Sequence, residues 1–374
     1  GRVPRQHGIH DFLTPNPIAD PPQGQTEPPS SFRDEIMISD VLAGAGYNCG
    51  YTGKWHMGND ATPQHAYKYW YTMLGGSSPY QNPRMNWNGT TVEEKGYLPD
   101  LITRKSVEFI EQQKADRPFF LVTSHFNPHV PYDGHPQKYY DMYANTKFET
   151  IGWEPAAPNA LREKEYLNDI VGNLRKCAAS ITALDDQIPP LIAALTRKKL
   201  RGNTVVIFTG DNGFLLGRHG LWSEGLASNP INMYEEVVRT PMIWSWLGQI
   251  PIEGRRPEMV NFCDVLPSIC EIAGAPAPTG RNLPGRSYAP LLFNRPLPKK
   301  QPWRNMVFGQ LRNTEMVRDP RFKLVLRDEG ASPSELFDLT ADPREKVNLY
   351  ENPQYVTVRD RLTKELENWR KKYA

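Results

Sequence analysis

Four consecutive apolar residues, Val205, Val206, Ile207 and Phe208, run straight into Thr209-Gly210-Asp211-Asn212-Gly213. A short apolar run that stops at turn residues reads as a strand buried on both faces, the kind found in parallel sheets with helices on either side. In open sheets of that kind ligands bind beyond the carboxyl ends of the strands. A carboxylate beside a carboxamide at such an end, flanked by glycines, suits a hard, oxygen-loving cation; the same tripeptide is also an ordinary turn.

The rest of the chain alternates around this run. Helical spacing at Ile36, Ile38, Val41 and Leu42 ends at Gly44 and Gly46, with Ser31 available as a cap. A strand from Tyr47 to Thr52 leads into Gly53-Lys54-Trp55-His56-Met57-Gly58. On an extended segment Lys54 and His56 point one way and Trp55 the other, so two donors converge on one spot. Tyr67 to Pro99 is aromatic and polar without a clear period and is expected to be a long insertion near the surface. A helix over Asp100–Gln113 and a buried strand over Pro118–Ser124 follow, the strand running into His125-Phe126-Asn127-Pro128-His129. Two histidines four apart suggest zinc, but Pro128 and Pro131 exclude the helix that would put them on one face. His129 fits better as a donor or acid.

Leu161–Leu195 has the spacing of a long helix that Pro189 and Pro190 must kink or interrupt, and its Asp185-Asp186 pair reads as a solvated face. A strand over Met242–Trp246 and a helix over Cys263–Ala273 sustain the alternation. The expected class is therefore α/β, a large, mainly parallel sheet sandwiched by helices over residues 1–295. After Pro296 short strands and a closing amphipathic helix predict a small α+β subdomain over 296–374.

Charge bounds the partners. With 44 basic and 42 acidic residues the net charge is +2, which provides no basic field for nucleic acid. No apolar run approaches the ~18 residues of a membrane span. Cys49, Cys177, Cys263 and Cys270 stand singly, without the spacing of a zinc knuckle or redox pair.

Three blocks then carry a resemblance. GYNCGYTGKWHMG resembles the GKWHLG block of sulfatases, FFLVTSHFNPHVPYD resembles their PHxP strand end, and VVIFTGDNGFLLGRHGLW is similar to their later metal-ligand block, all in the family's order. YEEVVRTPMI, NFCDVLPSICEIAGAP and SELFDLTADPREKVNL extend the likeness over essentially the whole chain. The resemblance implies an alkaline phosphatase-like fold that hydrolyses sulfuric esters of carbohydrates or aryl alcohols. It also implies a calcium-type ion, with magnesium the alternative, beside a formylglycine nucleophile, and a periplasmic or extracellular setting. By the same resemblance Asp211 and Asn212 are metal ligands, Lys54, His56 and His129 are catalytic, and Lys54, His129 and His219 bind substrate. Hydrolysis of a phosphonate or phosphodiester, or non-catalytic binding of an anion or glycan, are the alternatives on the same fold.

Two departures qualify it. The family's nucleophile motif, C/S-x-P-S/A-R, and a pair of aspartates are expected upstream of Gly1, because Gly1-Arg2-Val3-Pro4-Arg5-Gln6-His7-Gly8 resembles the segment that follows them. The 374 residues by themselves are accordingly expected to turn over little substrate and to bind metal weakly. Where many relatives carry a lysine that contacts sulfate, Ser223 and Glu224 stand; Arg218 or His219 is the expected substitute for that charge. His10 reads as a loop histidine with a local hydrogen bond, a substrate sub-site being the alternative; the loops Gly8–Thr26, Tyr67–Lys95 and Gly225–Asn232 are expected at the rim that reads the substrate.

Overall fold

The computed structural model describes residues 1–11, 32, 34–252, 254–327 and 333–373. Its centre is β1 (Asn48–Gly53), five of whose six residues are buried. β1 pairs in parallel with β2 (Tyr69–Met73) on one edge and with Phe119–Ser124 on the other. β3 (Arg84–Trp87) and β4 (Thr90–Glu93) continue antiparallel beyond β2, and with Phe119–Ser124 as β5 the order is β4-β3-β2-β1-β5. The α/β class holds, with a mixed sheet rather than a mainly parallel one.

Two expectations are corrected. Tyr67–Pro99 is no surface insertion: it supplies β2, β3 and β4, and Trp70, Tyr71 and Met73 are fully buried. A strand covered on both faces by aromatic side chains has no alternation to read, which is why its pattern looked featureless. The Val205–Phe208 run does form a strand, β6 (Val206–Thr209), but among the described residues it pairs only with β7 (Met242–Ser245), antiparallel. With one hydrogen-bonded neighbour it is not closed over on both faces, and Phe208 and its partner Ile243 stay 39% and 57% exposed.

Helices cover both faces of the five-stranded sheet. On one side the Leu98–Gln112 helix buries Leu98, Leu101 and Ile102 against Tyr71, Met73 and Met85. On the other, Leu42 of the Ile38–Gly44 helix joins Cys49, Tyr51, Trp55 and Trp70, with Ile269 and Ala273 of the Val265–Ala273 helix packed against them. Trp55 lies edge-on to Tyr51 and Trp70 at 5.1 and 5.0 Å, on the buried side expected for it. The long helical pattern is two helices, Ile170–Asp185 and Ile188–Arg197, with Pro189 and Pro190 in the first turn of the second, where a missing N–H costs nothing.

The C-terminal strands, β8 (Val307–Leu311), β9 (Thr314–Arg318), β10 (Phe322–Arg327) and β11 (Glu335–Asp338), form an antiparallel sheet in the order β11-β10-β9-β8. The Val356–Tyr373 helix packs Leu362, Leu366 and Trp369 onto it, and Val3 from the start of the chain buries in the same cluster. Among the described residues no helix is long and apolar enough to cross a membrane. Ser31 and most of the Gly8–Thr26 loop lie outside the described residues.

Candidate active site

The carboxyl ends of β1 and β5 meet because of one glycine. Gly53 has φ +99°, and a Cβ there would stand 1.9 Å from the Ser124 carbonyl oxygen. That approach lets the Lys54 N–H donate to the same carbonyl at 2.8 Å, which sets Lys54 beside the segment carrying His125 and His129. The Lys54 ammonium lies 5.6 Å from the centre of the Phe126 ring, and Phe126 stacks on His129 at 4.7 Å. His129 Nδ1 donates to the Val130 carbonyl at 2.6 Å, and the Tyr80 hydroxyl donates to the His129 carbonyl at 2.8 Å. A carbonyl only accepts, so Nδ1 carries the hydrogen and Nε2 is left for chemistry.

The electrostatics join these groups to the end of β6. Burial holds the Lys54 ammonium below its ordinary range, and the charges of Asp211 and Glu224 act against that. Burial likewise holds His129 below the ordinary value of 6.5; the Val130 carbonyl raises it, Lys54 lowers it, and Asp211 and Glu224 raise it. Lys54, His129, Asp211 and Glu224 therefore share one neighbourhood. Among the described residues no carboxylate forms an ion pair with Lys54.

Asp211 and Asn212 are exposed at the end of β6. The Asn212 N–H donates to Asp211 Oδ1 at 2.8 Å, and its amide nitrogen donates to the Gly213 carbonyl at 2.7 Å, leaving the amide oxygen as an acceptor. A carboxylate and a carboxamide oxygen are the right donor type for a hard cation, but calcium takes about 6–8 oxygens. Among the described residues no three His, Cys, Asp or Glu side chains converge on a metal position. These residues do not complete a calcium shell, and no chemical step is derived through one.

His56 rests its ring on Gly76, where a Cβ would meet the imidazole at 2.7 Å and where φ is +72°. Gly76 belongs to the segment after β2, so sequence reasoning missed it; nothing in a Gly-Gly-Ser-Ser stretch names the ring it carries. Gly76→Ala is expected to displace His56 and to lower kcat/KM of the full-length protein by roughly 10²-fold, the usual effect of an ångström-scale misplacement. The backbone strain adds about 1–2 kcal/mol of destabilisation. Full activity in a folded Gly76→Ala protein would remove His56 from the site.

His219, expected to bind substrate, is buried against Tyr234 and Glu236. Its ring stacks on Tyr234 at 3.7 Å, and its Nε2 lies 3.7 Å from the Glu236 carboxylate, which also accepts from Arg218 at 2.6 Å. Burial would raise Glu236, but the bonds from His219 and Arg218 win and hold it at about 2. His219 and Arg218 are thus both paired with Glu236 within the loop's own packing. His10 sits against the β8–β9 hairpin, its carbonyl accepting from the Arg312 N–H at 2.7 Å. Of the thiols, Cys49, Cys177 and Cys270 are buried, and burial pushes Cys49 to about 11 and Cys177 to about 12, so neither is a thiolate at neutral pH.

Two further histidines make the fold acid-sensitive. Both ring nitrogens of His125 are buried without a partner, and burial pushes its pKa down to about 4; burial does the same to His135. The unfolded chain, near 6.5, binds more protons between those values, so this stability is full above pH 6.5 and is lost as pH falls through 4. Asp60, raised by burial to about 6, acts in the opposite direction. The urea midpoint is therefore expected to drop less between pH 7 and pH 5 in His125→Phe than in the wild type. Equal drops would refute the assignment.

The fold is an alkaline phosphatase-like α/β one, with Lys54 and the His129 segment following the carboxyl ends of β1 and β5. The sulfatase family model matches residues 9–275, and the model for the C-terminal region of N-sulphoglucosamine sulphohydrolase matches 230–372. The chain belongs to the sulfatase family, whose named members hydrolyse sulfuric esters. It is 24% identical to an N-acetylglucosamine-6-O-sulfatase of Bacteroides thetaiotaomicron over 94% of this chain and 75% of the relative. It is 26% identical to an ulvan-active sulfatase of Formosa agariphila over 89% and 65%. A putative extracellular sulfatase Sulf-1 homolog of Caenorhabditis elegans is 30% identical over 78% of this chain and 43% of its own length. Among solved structures, one in complex with its substrate D-glucosamine-2-N,6-O-disulfate superposes with a TM-score of 0.79 at 20% identity, over 100% of this chain and 86% of that one. The phosphonate monoester hydrolase of Agrobacterium radiobacter shares the fold at a TM-score of 0.68 and 16% identity, over 91% and 81%.

Proposed function

We propose that the whole protein hydrolyses a sulfate ester carried by a carbohydrate, with an aryl sulfate as the simpler alternative. What supports this is that Lys54 and the His129 segment follow the paired ends of β1 and β5, and that the charge of Asp211 acts on both of them. As the S–O bond of a sulfate monoester breaks, negative charge gathers on the leaving oxygen, and fixed donors in a partly dry crevice stabilise it. Lys54 binds sulfate oxygens, and His129 joins it once Nε2 takes up a proton, which a bound sulfate favours, and then donates through Nε2 to sulfate or passes that proton to the leaving alcohol. His56 acts as a further donor beside them.

Asp211 and Asn212 are proposed as two of the oxygen ligands of a calcium ion, or of magnesium, in the complete protein. A formylglycine outside residues 1–374 would supply the oxygen that attacks sulfur. The sugar-directed names of the relatives support a glycan substrate, and the extracellular sulfatases among them support a site of action outside the cytoplasm.

The test is turnover by the full-length gene product of a panel of sulfated sugars, 4-nitrophenyl sulfate, a phosphodiester and a phosphonate monoester. Sulfate-ester turnover is the expected result; phosphodiester or phosphonate turnover alone, or none, overturns the reading. Calorimetric titration of calcium into the 374-residue chain is expected to give a Kd weaker than about 10⁻³ M, since two oxygens make a poor shell. Micromolar binding would contradict this.

A further inference from the structure

Trp153 stays in solvent where its neighbours turn inward. Phe148 and Ile151 pack onto the cluster of Tyr132, Leu174 and Trp222, while Trp153 remains 40% exposed and its indole N–H has no protein acceptor among the described residues. The segment is held firmly. Phe148 and Gly152, at φ +55° and +70°, bracket one helical turn over Glu149–Ile151. The Glu154 N–H donates to the Gly217 carbonyl at 2.9 Å and Arg218 Nε to the Ile151 carbonyl at 2.8 Å, which ties Trp153 to the loop beyond Asp211. With Lys147, Glu149, Gly152 and Val171, Trp153 lines a concavity of about 460 Å³. Arg344 of the C-terminal subdomain lies against Gly152, where a Cβ would collide with its guanidinium. Arg344 is exposed and pairs with no carboxylate among the described residues. Lys147 reaches only Glu149, at 4.0 Å and with both ends in solvent, a contact worth little. Arg175, whose Nε donates to the Thr146 carbonyl at 2.9 Å, and Lys346, paired with Glu154, bring the cations here to four against two carboxylates, Glu149 and Glu154. Asp169, two residues before Val171, is engaged with its own helix, accepting from the Gly172 N–H at 3.0 Å.

An indole with one face in water and a free N–H suits a ligand that is apolar on one side and polar at its edge, as a sugar ring is. A guanidinium without a partner suits an oxyanion, which it can grip through two parallel N–H bonds. We propose that Trp153 and Arg344 form a second subsite that holds one ring of an acidic glycan chain: the ring lies on Trp153, and its sulfate or carboxylate pairs with Arg344, with Lys147 adding longer-range attraction. Gly217 is six residues from Asp211, so their α-carbons are at most about 22 Å apart, a span that a glycan of several rings crosses. This rests on the sulfatase reading above and adds that the substrate is a chain, gripped away from the ester that is cut.

The test is a binding measurement that needs no turnover. A heparin-derived tetrasaccharide and its desulfated counterpart, which keeps the carboxylates, are titrated by calorimetry into the 374-residue chain and its Trp153→Ala, Trp153→Phe and Arg344→Gln variants, each checked for an unchanged melting transition. The sulfated tetrasaccharide is expected to bind, Trp153→Ala and Arg344→Gln each to weaken it about tenfold, and Trp153→Phe to weaken it less. Arg344 is on the surface, so its variant decides the matter even where Trp153→Ala does not fold. If Arg344→Gln weakens only the sulfated ligand, sulfate is the paired group; if it weakens both equally, the carboxylate is. No binding by the wild type, or unchanged affinity in the folded variants as expected of a ligand seated only at Lys54 and His129, overturns the proposal. A loss in Arg344→Gln with none in a folded Trp153→Ala also overturns it, since that is charge attraction without a ring site. Absence of sulfate-ester turnover by the full-length protein overturns the sulfatase reading instead, and the titration still decides whether Trp153 and Arg344 hold an acidic glycan.

Discussion

Lys54→Ala is expected to lower kcat/KM for a sulfate ester by about 10²–10³-fold in the full-length protein, with little change in melting temperature. Lys54 directly follows the end of β1, and burial makes its positive charge costly to hold there. A cation kept in a half-dry crevice without an ion-pair partner among the described residues is poised for an anionic ligand. Its structural ties are light: the side chain lies over Phe126, while the backbone carbonyl accepts from the Tyr51 hydroxyl whatever the side chain is. Steady-state kinetics with 4-nitrophenyl sulfate, together with a thermal melt, tests this. A loss under tenfold would mean that Lys54 does not stabilise the developing charge.

The largest effect on stability is expected from Lys323→Ala, a loss of about 3–5 kcal/mol, because removing one partner strands a buried charge. Lys323 is fully buried, donates to the Met233 carbonyl at 2.6 Å, and pairs with the equally buried Glu345 and with Glu235, the latter at 3.3 Å. Burial holds the Glu345 carboxyl above its ordinary range, against the opposing pull of the Lys323 charge and hydrogen bond. The cluster also reaches the site: the Glu235 N–H donates to Glu345 at 2.7 Å, the next residue, Glu236, holds Arg218 and His219, and the Gly213 N–H donates to the Val237 carbonyl at 2.8 Å. The C-terminal subdomain thereby braces the turn that carries Asp211. Urea unfolding checks the magnitude, and the double change Lys323→Met with Glu345→Leu is expected to restore most of the loss. A cost under about 1 kcal/mol for Lys323→Ala would show that the pair is solvated.

Local chemistry was legible residue by residue. Strand period put Trp55 on the buried side, and Trp55 is indeed buried in the aromatic cluster, although β1 itself ends at Gly53. Pro128 and Pro131 ruled out a zinc-binding helix, and no regular helix spans His125–His129. Pro189 and Pro190 marked the break between two helices. These follow from covalent constraints and side-chain periodicity, which act over a few residues and need no knowledge of distant partners.

What the sequence by itself determined, then, was the α/β class, the ends of the strands and the residue types waiting there. Only the tertiary structure decided which of those residues face one another. His219 and Lys54 both read as substrate cations, yet Glu236 and Tyr234 draw His219 into the loop's own packing, while Lys54 stays in the crevice. Gly76 acquires meaning only through the His56 ring. The reason is physical: a side chain's role depends on the field, the burial and the partners around it, and those come from segments tens to hundreds of residues away that only chain folding brings near.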